Sequence, residues 1–279
     1  MLLEVQVVTP GAYVRQTDAA YGMGWESIAM VATGADDLYS ATVPTELMVH
    51  RNLVRYRVLA EDAVGNAVTL PYEDDPSANR AFFVYDGVPA WSGSPDPGKA
   101  PKRTFTSEEM SVLPVYHLVA DNADVERSQY NRGSEEVRFL GTMVYEGRVY
   151  DHVEFRVRGE FSTYQSGKNK WKFFFNRGNN FRARDNYGIA YPGGFRVMNF
   201  TACASPWVPA NRGMSGLDET TAFRLQALAG VPSPKMHHLH FRVIDEAEET
   251  PSSDQYGGDL WGLYLSQETP DGRMLNRLG

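Results

Sequence analysis

Short segments in which apolar and polar residues alternate recur along this sequence and limit the folds open to it. Val54, Tyr56 and Val58 alternate with Arg55 and Arg57. Side chains of a β-strand point alternately to its two faces, so this spacing predicts a strand that buries mainly one face. An amphipathic helix would instead repeat every three or four residues. We therefore predict a mainly β protein.

Residues 1–88 contain several of these segments, separated by turn signals. A Gly-Asn pair at 65–66 joins the segment just described to an apolar run at 67–70, which predicts a β-hairpin. Runs at 25–30 and 37–44 have the same character. Several short strands with turns between them are typical of β-sandwiches. This region resembles the fibronectin-III-like and Ig-like modules of bacterial surface and secreted proteins.

The segment 89–112 is rich in proline and glycine and separates this region from the rest of the chain. Prolines remove backbone donors and glycines permit tight turns, so we expect no regular element here. A change of composition of this kind is typical of a domain boundary. We therefore predict three parts: a β-sandwich at 1–88, a linker at 89–112, and an α+β second domain at 113–279.

The second domain has the patterns of several strands and one clear helix. Apolar residues at helical spacing predict a helix at 217–229, which Gly230 and Pro232 end. Residues 176–213 are rich in glycine, asparagine and arginine, and we interpret them as mostly loop. We expect Trp261 to pack against the helix. The predicted strands are at 113–119, 137–145, 149–158, 170–175, 236–244 and 260–268.

Charge and composition exclude several classes of function. The net charge of −8 disfavours a nucleic-acid-binding protein, which needs a basic surface. The sequence has no apolar run long enough to span a membrane. It also lacks the P-loop, dinucleotide-binding and Gly-x-Ser-x-Gly patterns, so ordinary NTPase and hydrolase functions have no local support. Its single cysteine, Cys203, has an apolar setting and is expected to be a small buried side chain.

Three neighbouring histidines raise the question of a metal site. Alternation along the strand places His238 and His240 on one face and His237 on the other, so at most two of them can converge. A zinc site takes three or four ligands. We therefore predict no metal site in this chain.

The order of elements in the second domain resembles the opening of the spore-coat protein H (CotH) family of kinase-like proteins. Leu-Pro-Val-Tyr-His-Leu at 113–118 is followed by Val-Glu-Phe-Arg-Val-Arg-Gly at 153–159 and by Lys-Asn-Lys-Trp-Lys-Phe at 168–173. The helix that ends in Gly-Val-Pro-Ser-Pro at 230–234 and the strand Trp-Gly-Leu-Tyr-Leu-Ser-Gln-Glu at 261–268 are similar to the family's next two landmarks. The specificity of the resemblance comes from this order and spacing.

The resemblance implies an atypical kinase-like fold whose members transfer phosphate from ATP, with Mg²⁺, to protein substrates such as spore-coat proteins. Kinases pair a strand lysine with a helix glutamate over the phosphates. Lys168 and Lys170 are the candidate lysines, and Glu219 is the candidate glutamate. Arg158 could bind phosphate with two parallel hydrogen bonds. In the alternative interpretation the lysines form a solvated strand face, Glu219 stabilises the helix N-terminus, and Arg158 supports the lysine turn.

The family's metal-binding and catalytic aspartates lie downstream of the Trp-Gly-Leu-Tyr strand, whereas this sequence ends at Gly279. We therefore expect a fragment of a CotH-type kinase that is inactive by itself, and whether this chain is an enzyme is left open. Because no signal peptide begins the sequence, we expect that the natural N-terminus of an extracellular or cell-surface bacterial protein has been cut off. The alternative function is a non-enzymatic extracellular or cell-surface interaction protein, with its partner unspecified.

Overall fold

Two β assemblies make up most of the structure, which is mainly β, as the sequence predicts. The first is a five-stranded antiparallel sheet from the N-terminal part of the chain, and the second is a closed barrel of seven strands. The computed structural model describes residues 1–34, 37–94, 99–130, 136–159, 168–203, 216–249 and 257–278. Within these ranges, no helix has both the length and the apolar character that crossing a membrane requires.

The described residues of the N-terminal part form seven strands, one short helix and one 3-10 turn. The strands are β1 (Leu2–Val8), β2 (Glu26–Ala29), β3 (Val31–Ala32), β4 (Tyr39–Ser40), β5 (Leu53–Glu61), β6 (Ala67–Leu70) and β7 (Arg80–Phe83). The helix α1 covers Ala19–Met23, and the 3-10 turn covers Thr45–Leu47.

The sheet is built around β1 and β5. β1 pairs with β2 on one side and with β5 on the other, while β3 and β4 form a separate pair. The outer edge of β5 is shared, because residues 53–56 pair with β7 and residues 58–61 pair with β6. Gly65, with φ +89°, lies in the turn between β5 and β6. The hairpin predicted there is therefore confirmed.

Nine further strands and four helices follow within the described ranges. They are β8 (Trp91–Gly93), β9 (Arg103–Phe105), α2 (Ser107–Met110), β10 (Val115–Ala120), α3 (Asn122–Tyr130), β11 (Phe139–Tyr145), β12 (Arg148–Arg158), β13 (Lys170–Phe174), β14 (Val197–Thr201), α4 (Leu217–Leu228), β15 (Met236–Ile244), β16 (Leu260–Glu268) and α5 (Gly272–Leu278). The barrel order is β10-β11-β12-β13-β14-β16-β15. A parallel pairing between β10 and β15 closes it, whereas the other pairs are antiparallel.

The predicted strands of the second domain are all present, with shifts of one or two residues at some ends. β14 and α3 were not predicted, and β14 lies in the segment 176–213 that we interpreted as mostly loop. The helix α4 has the predicted bounds within one residue, but none of its residues is buried. The expectation that Trp261 packs against it is wrong, because the ring of Trp261 packs against Trp171, with 5.3 Å between ring centroids.

The proline- and glycine-rich segment contains more regular structure than its composition suggests. β8 pairs with β9, and their Trp91 and Phe105 rings lie 5.9 Å apart. α2 begins with a capping box in which Thr106 and Glu109 each accept a hydrogen bond from the other's backbone N–H. Residues 95–98 lie outside the described ranges. The expectation of no regular element at 89–112 is therefore wrong for both ends of this segment.

Aromatic side chains fill the interior of the barrel. They alternate with outward residues along each strand, as expected for a small barrel. Those that lie on the barrel strands and are at most 2 % exposed are Tyr116, Tyr145, Tyr150, Phe155, Trp171, Phe173, Phe200, Phe241 and Tyr264. The barrel is therefore a packed core, and any functional site must lie at its ends or on its outer wall.

One face of the N-terminal sheet packs against the barrel. Val8 and Leu53 are fully buried in a cluster with Val119 and Ile244 of the barrel, and Tyr13 completes this cluster. Burial of such a side chain typically contributes about 1.5–3 kcal/mol. The barrel wall therefore supplies the layer that covers this face of the sheet.

A β-bulge in β12 provides the main polar contact between sheet and barrel. Asp151 and His152 of β12 together lie opposite Thr142 of β11, where the pairing register shifts by one residue. His152 has φ +54°, which is uncommon for a residue other than glycine. A bulge adds one residue to a strand and redirects its side chains. Here it directs Asp151 towards the sheet.

Arg55 of β5 is fully buried and binds Asp151 with two hydrogen bonds. Its Nε lies 2.7 Å from Asp151 Oδ2, and its Nη2 lies 3.1 Å from Oδ1. Nη1 donates to the side-chain oxygen of Gln6 and to the carbonyl of Val14. Water cannot reach the guanidinium, and a buried charge needs hydrogen-bond partners from the protein instead. These acceptors supply them.

The carboxylate of Asp151 is equally well supplied with donors. Beside Arg55, it accepts bonds from Asn79 Nδ2 (2.8 Å), from Thr142 Oγ1 (2.5 Å) and from the backbone N–H of His152 (2.9 Å). Burial acts to raise the pKa of Asp151, but the charges of His152 and Arg55 and these bonds hold it well below its usual range. Because burial lowers the pKa of His152 to about 4, Arg55 is the counter-charge at neutral pH.

A second buried arginine, two residues before β5, also contacts the barrel part of the chain. Arg51, with φ +71°, donates to Asp259 Oδ1 (2.9 Å) and to the carbonyls of Glu246 and Ala247. Both members of the Arg51–Asp259 ion pair are 5 % exposed. Burial raises the pKa of Asp259 to about 6, although Arg51 acts to lower it. Sheet and barrel are therefore linked by buried charges at two places.

Replacing Arg55 with methionine should destabilise the protein by ~3–5 kcal/mol, since it leaves the Asp151 charge buried without a cation. The matched control is Arg57→Met on the same strand. Arg57 pairs with Glu4 at 2.6 Å, but both side chains are partly exposed, so this change should cost about 1 kcal/mol or less. Urea denaturation of both variants measures the difference. Equal losses would show that the Arg55–Asp151 pair is not a principal contact between sheet and barrel.

Acid sensitivity should arise in part from His117 of β10, whose ring packs against those of Tyr85 and Phe83, with centroid distances of 4.5 and 5.3 Å. Burial lowers the pKa of His117 to about 3. Between about pH 6.5 and that value the unfolded chain binds a proton that the native state does not, so stability falls as pH falls. His117→Phe should reduce this fall by up to ~1.4 kcal/mol per pH unit. Denaturation midpoints at several acidic pH values test this, and an unchanged pH dependence would contradict it.

Candidate functional site

The two basic side chains predicted to bind nucleotide on β12 and β13 are direct neighbours. Arg158 and Lys170 are cross-strand partners. Both point away from the barrel interior, because the adjacent Val157 and Trp171 are fully buried in the core. Like charges that lie directly opposite each other repel. This pair therefore favours a nearby anion.

The helix α4 supplies an anionic group to this pair. Glu219 lies in its first turn and keeps a solvent-exposed surface. Partial burial and Asp218 raise the pKa of Glu219, while the charges of Lys170 and Arg158 act to lower it. Burial lowers the pKa of Arg158, and Glu219 opposes that shift. Three of the four predicted site residues, Arg158, Lys170 and Glu219, are therefore close enough to interact electrostatically.

Lys168 is placed differently from Lys170. Its Nζ donates a hydrogen bond to the carbonyl of Leu263 and lies 4.4 Å from the ring centroid of Tyr264. Burial lowers the pKa of Lys168 to about 8, while Cys203 acts weakly in the opposite direction. Lys168 thus links the start of β13 to β16. Its ammonium group already has partners inside the protein, and it would have to leave them to bind a phosphate.

A narrow space near Lys168 depends on two glycines. Gly262 has φ +101°, and a Cβ atom there would lie 3.4 Å from Lys168 Nζ. Gly216, which precedes α4, has φ +69°, and a Cβ atom there would lie 3.0 Å from Cys203 Sγ and 2.6 Å from Leu265 Cδ1. These close approaches fix the start of α4, and hence Glu219, against the barrel.

Cys203 is buried, as predicted, at 5 % exposure. Burial raises the pKa of its thiol to about 11, so the thiol is protonated at neutral pH. A protonated, buried thiol is a poor nucleophile. Cys203 therefore packs as a small apolar side chain.

The three histidines do not converge. Tyr191 donates its hydroxyl proton to the carbonyl of Met236, so His237 Nδ1 donates to Tyr191 OH and His237 Nε2 accepts from Tyr116 OH. Both ring nitrogens of His237 are thus engaged inside the barrel. In the ranges that the structure describes, no group of three or more His, Cys, Asp or Glu side chains could hold a metal ion.

Sequence patterns did not indicate the buried polar group around Asp151, whose carboxylate accepts hydrogen bonds from four residues. In a strand that buries mainly one face, Arg55 falls on the face expected to meet solvent. The only available signal was an arginine on that face between long apolar residues, and surface strands often have the same pattern.

No protein-family model matches this sequence, and no curated protein matches it either. The resemblance to the CotH family therefore rests on the sequence motifs quoted above.

Lys168→Met should change how stability responds to alkaline pH. The pKa of Lys168 is about 8 in the folded protein and is higher in the unfolded chain, so between these values only the unfolded state holds the proton and stability rises with pH. The variant lacks this pH-dependent contribution. Above about pH 8, the difference between its free energy of unfolding and that of the wild type should therefore grow by up to ~1.4 kcal/mol per pH unit. Urea denaturation at three pH values measures it, and parallel pH profiles would show that Lys168 is not buried.

Proposed function

We propose that residues 113–279 are the N-terminal portion of a CotH-type kinase-like domain and that Arg158, Lys170 and Glu219 form part of its nucleotide site. The observation that carries the proposal is that Arg158 and Lys170 are cross-strand partners on the outer face of the barrel. The pKa directions of Glu219 and Arg158 agree with a helix glutamate near this pair. A strand lysine with a helix glutamate is the arrangement that kinases use to hold the phosphates of ATP. The mainly β structure is compatible with a kinase-like N-terminal lobe, and the sandwich-type module at 1–88 stays a prediction.

In this proposal each side chain has a separate role. Glu219 orients the ammonium group of Lys170, which neutralises charge on the phosphates. Arg158 offers a planar fork of donors to phosphate oxygens. Lys168 keeps β13 in place through its bond to the Leu263 carbonyl and contributes to the nucleotide site only indirectly.

Phosphoryl transfer needs Mg²⁺ ions held by carboxylates in fixed positions. The described residues contain no cluster that could hold such an ion. We propose weak phosphate binding for the described residues, and transfer from ATP to a protein substrate for a protein that also carries the metal-binding aspartates of the family.

An alternative proposal, an extracellular or cell-surface interaction protein without enzymatic activity, is favoured by the surface of α4. Leu217, Leu225 and Leu228 on this helix are 60, 60 and 68 % exposed. Several exposed leucines on one helix are a common feature of protein-binding surfaces. The two proposals differ in what they require of Lys170, because only the first needs its charge.

Calorimetry with ATP and Mg²⁺ tests the first proposal. We expect weak binding, with a dissociation constant of about 1 mM, and no transfer of radiolabel to protein acceptors. Lys170→Ala and Arg158→Ala should weaken binding several-fold, because each removes a contact with phosphate. The matched controls are Lys172→Ala and Arg156→Ala, which alter the next cross-strand pair on the same outer face. These should change binding little.

Three results would count against this assignment. Equal losses in the two pairs of variants would indicate diffuse attraction to a positive surface without a defined site. No binding by the wild type would favour the interaction protein. Transfer of radiolabel would show that the chain carries a complete catalytic site.

A further inference from the structure

A polar cavity of about 410 Å³ lies beside the first residue of β12, at the opposite end of this strand from Arg158. Its lining residues include no carboxylate and no large apolar side chain. They are Arg148, Gly178, Asn179, Asn180, Arg182 and Gly194. Because β12 has 11 residues, its two ends are about 30 Å apart, and this cavity is separate from the proposed nucleotide site.

The buried residues beside the cavity hold its polar side chains in place. Phe181 and Phe195 are 1 and 4 % exposed, and their backbones exchange two hydrogen bonds of 3.0 and 2.8 Å. Both neighbours of Phe181 therefore project away from the core. The backbone N–H of Arg182 also donates to the hydroxyl of Tyr150 at 2.9 Å. The segment that carries Asn180 and Arg182 is thus anchored on both sides.

Two glycines allow the walls of the cavity to approach each other. Gly178 has φ +89°, and a Cβ atom there would lie 2.5 Å from Pro76 Cγ. A Cβ atom on Gly194 would lie 2.7 Å from the Cβ of Asn180. The side chain of Asn179 donates to Ser77 Oγ at 3.1 Å. The cavity wall is therefore tied to the segment between β6 and β7 of the N-terminal sheet.

The two arginines in this cavity lack a counter-charge among the described residues. Within the part of the chain that the structure describes, neither guanidinium of Arg148 and Arg182 forms an ion pair or donates a hydrogen bond. Arg184, two residues further along, differs in both respects, because it pairs with Glu146 at 3.4 Å and donates to the Gly188 carbonyl at 3.0 Å. In a protein with a net charge of −8, two unneutralised arginines beside one cavity mark a local excess of positive charge.

We propose that this cavity binds a phosphate monoester, with Arg148 and Arg182 as the charged ligands and the side-chain amide of Asn180 as an additional donor. Two guanidinium groups match a dianion in charge, and each can donate two parallel hydrogen bonds to phosphate oxygens. A phosphate has three terminal oxygens for these donors, whereas a carboxylate has two. The volume exceeds what inorganic phosphate needs, so part of an attached organic group also fits.

The test is calorimetry on the full chain with three probes: inorganic phosphate, O-phosphoserine and glucose 6-phosphate. We expect at least one probe to bind with a dissociation constant of about 1 mM or tighter. The double variant Arg148→Ala/Arg182→Ala should weaken it by about tenfold or more, since both charged ligands are lost. Both side chains are exposed, so the circular dichroism spectrum and melting temperature of this variant should match those of the wild type.

Two control variants separate this site from other positive surfaces. Arg184→Ala removes a neighbouring arginine that already has a partner, and the double variant Arg158→Ala/Lys170→Ala removes the proposed nucleotide site. Arg184→Ala should bind the probes as the wild type does, and the Arg158→Ala/Lys170→Ala variant should keep the binding that depends on Arg148 and Arg182. Tighter binding of the esters would identify a phosphorylated small molecule or side chain as the ligand, and equal binding of all three would identify free phosphate.

The inference is overturned if no probe binds at about 10 mM, a concentration well above the expected dissociation constant. It is also overturned if the Arg148→Ala/Arg182→Ala variant retains binding, or if Arg184→Ala loses as much. Loss of binding only in the Arg158→Ala/Lys170→Ala variant would assign the phosphate to the nucleotide site. That result would support the proposed function while rejecting this second site.

Discussion

The ion pair between Arg55 and Asp151 is the contact on which the arrangement of sheet and barrel depends. Transferring two charges from water into a protein interior costs several kcal/mol for each, and the cost is offset only where nearly every donor and acceptor is satisfied. Both groups meet that condition, since Asp151 accepts bonds from four residues and Arg55 donates to three. A displaced sheet would leave both charges unpaired, so these contacts select a single arrangement.

The contacts between sheet and barrel also position residues at the protein surface. The segment between β6 and β7 carries Asn79, which binds Asp151, and also Pro76 and Ser77, which contact the barrel segment around Gly178. The contacts around Arg55 and Asp151 that hold the sheet therefore also position the wall of the polar cavity. At the other end of β12, Glu219 depends instead on Gly216 and on the closed, aromatic-filled barrel. Different contacts therefore hold the two proposed sites in place.

Much of the fold could be predicted from the sequence, because alternation along a strand is a local property. The bounds of β15 and β16 and the hairpin at Gly65 follow from it directly. Barrel closure does not, since it rests on a parallel pairing of β10 with β15 between segments more than a hundred residues apart. β14 was missed because it lies in a segment rich in glycine, asparagine and arginine, a composition typical of loops.

The candidate site was predictable in part for the same reason. Alternation places Lys170 on the outer face of its strand, but its position opposite Arg158 is a matter of register between two strands. The engagement of Lys168 with Leu263 depends on where β16 lies, which no local pattern reveals. Arg148 and Arg182 look like ordinary surface arginines in the sequence. Only the three-dimensional structure shows that they share a cavity without a carboxylate.

The bulge in β12 has a consequence for the strand as a whole. Before it, the inward residue is the even-numbered Tyr150, and after it the inward residues are the odd-numbered Val153, Phe155 and Val157. An unbroken ladder would carry the even parity onward and turn Arg158 into the barrel. Because of this one additional residue, β12 contacts two partners. Asp151 points to the N-terminal sheet, and the apolar residues that follow point again into the barrel core. Any insertion or deletion in this strand would have to preserve that change of parity.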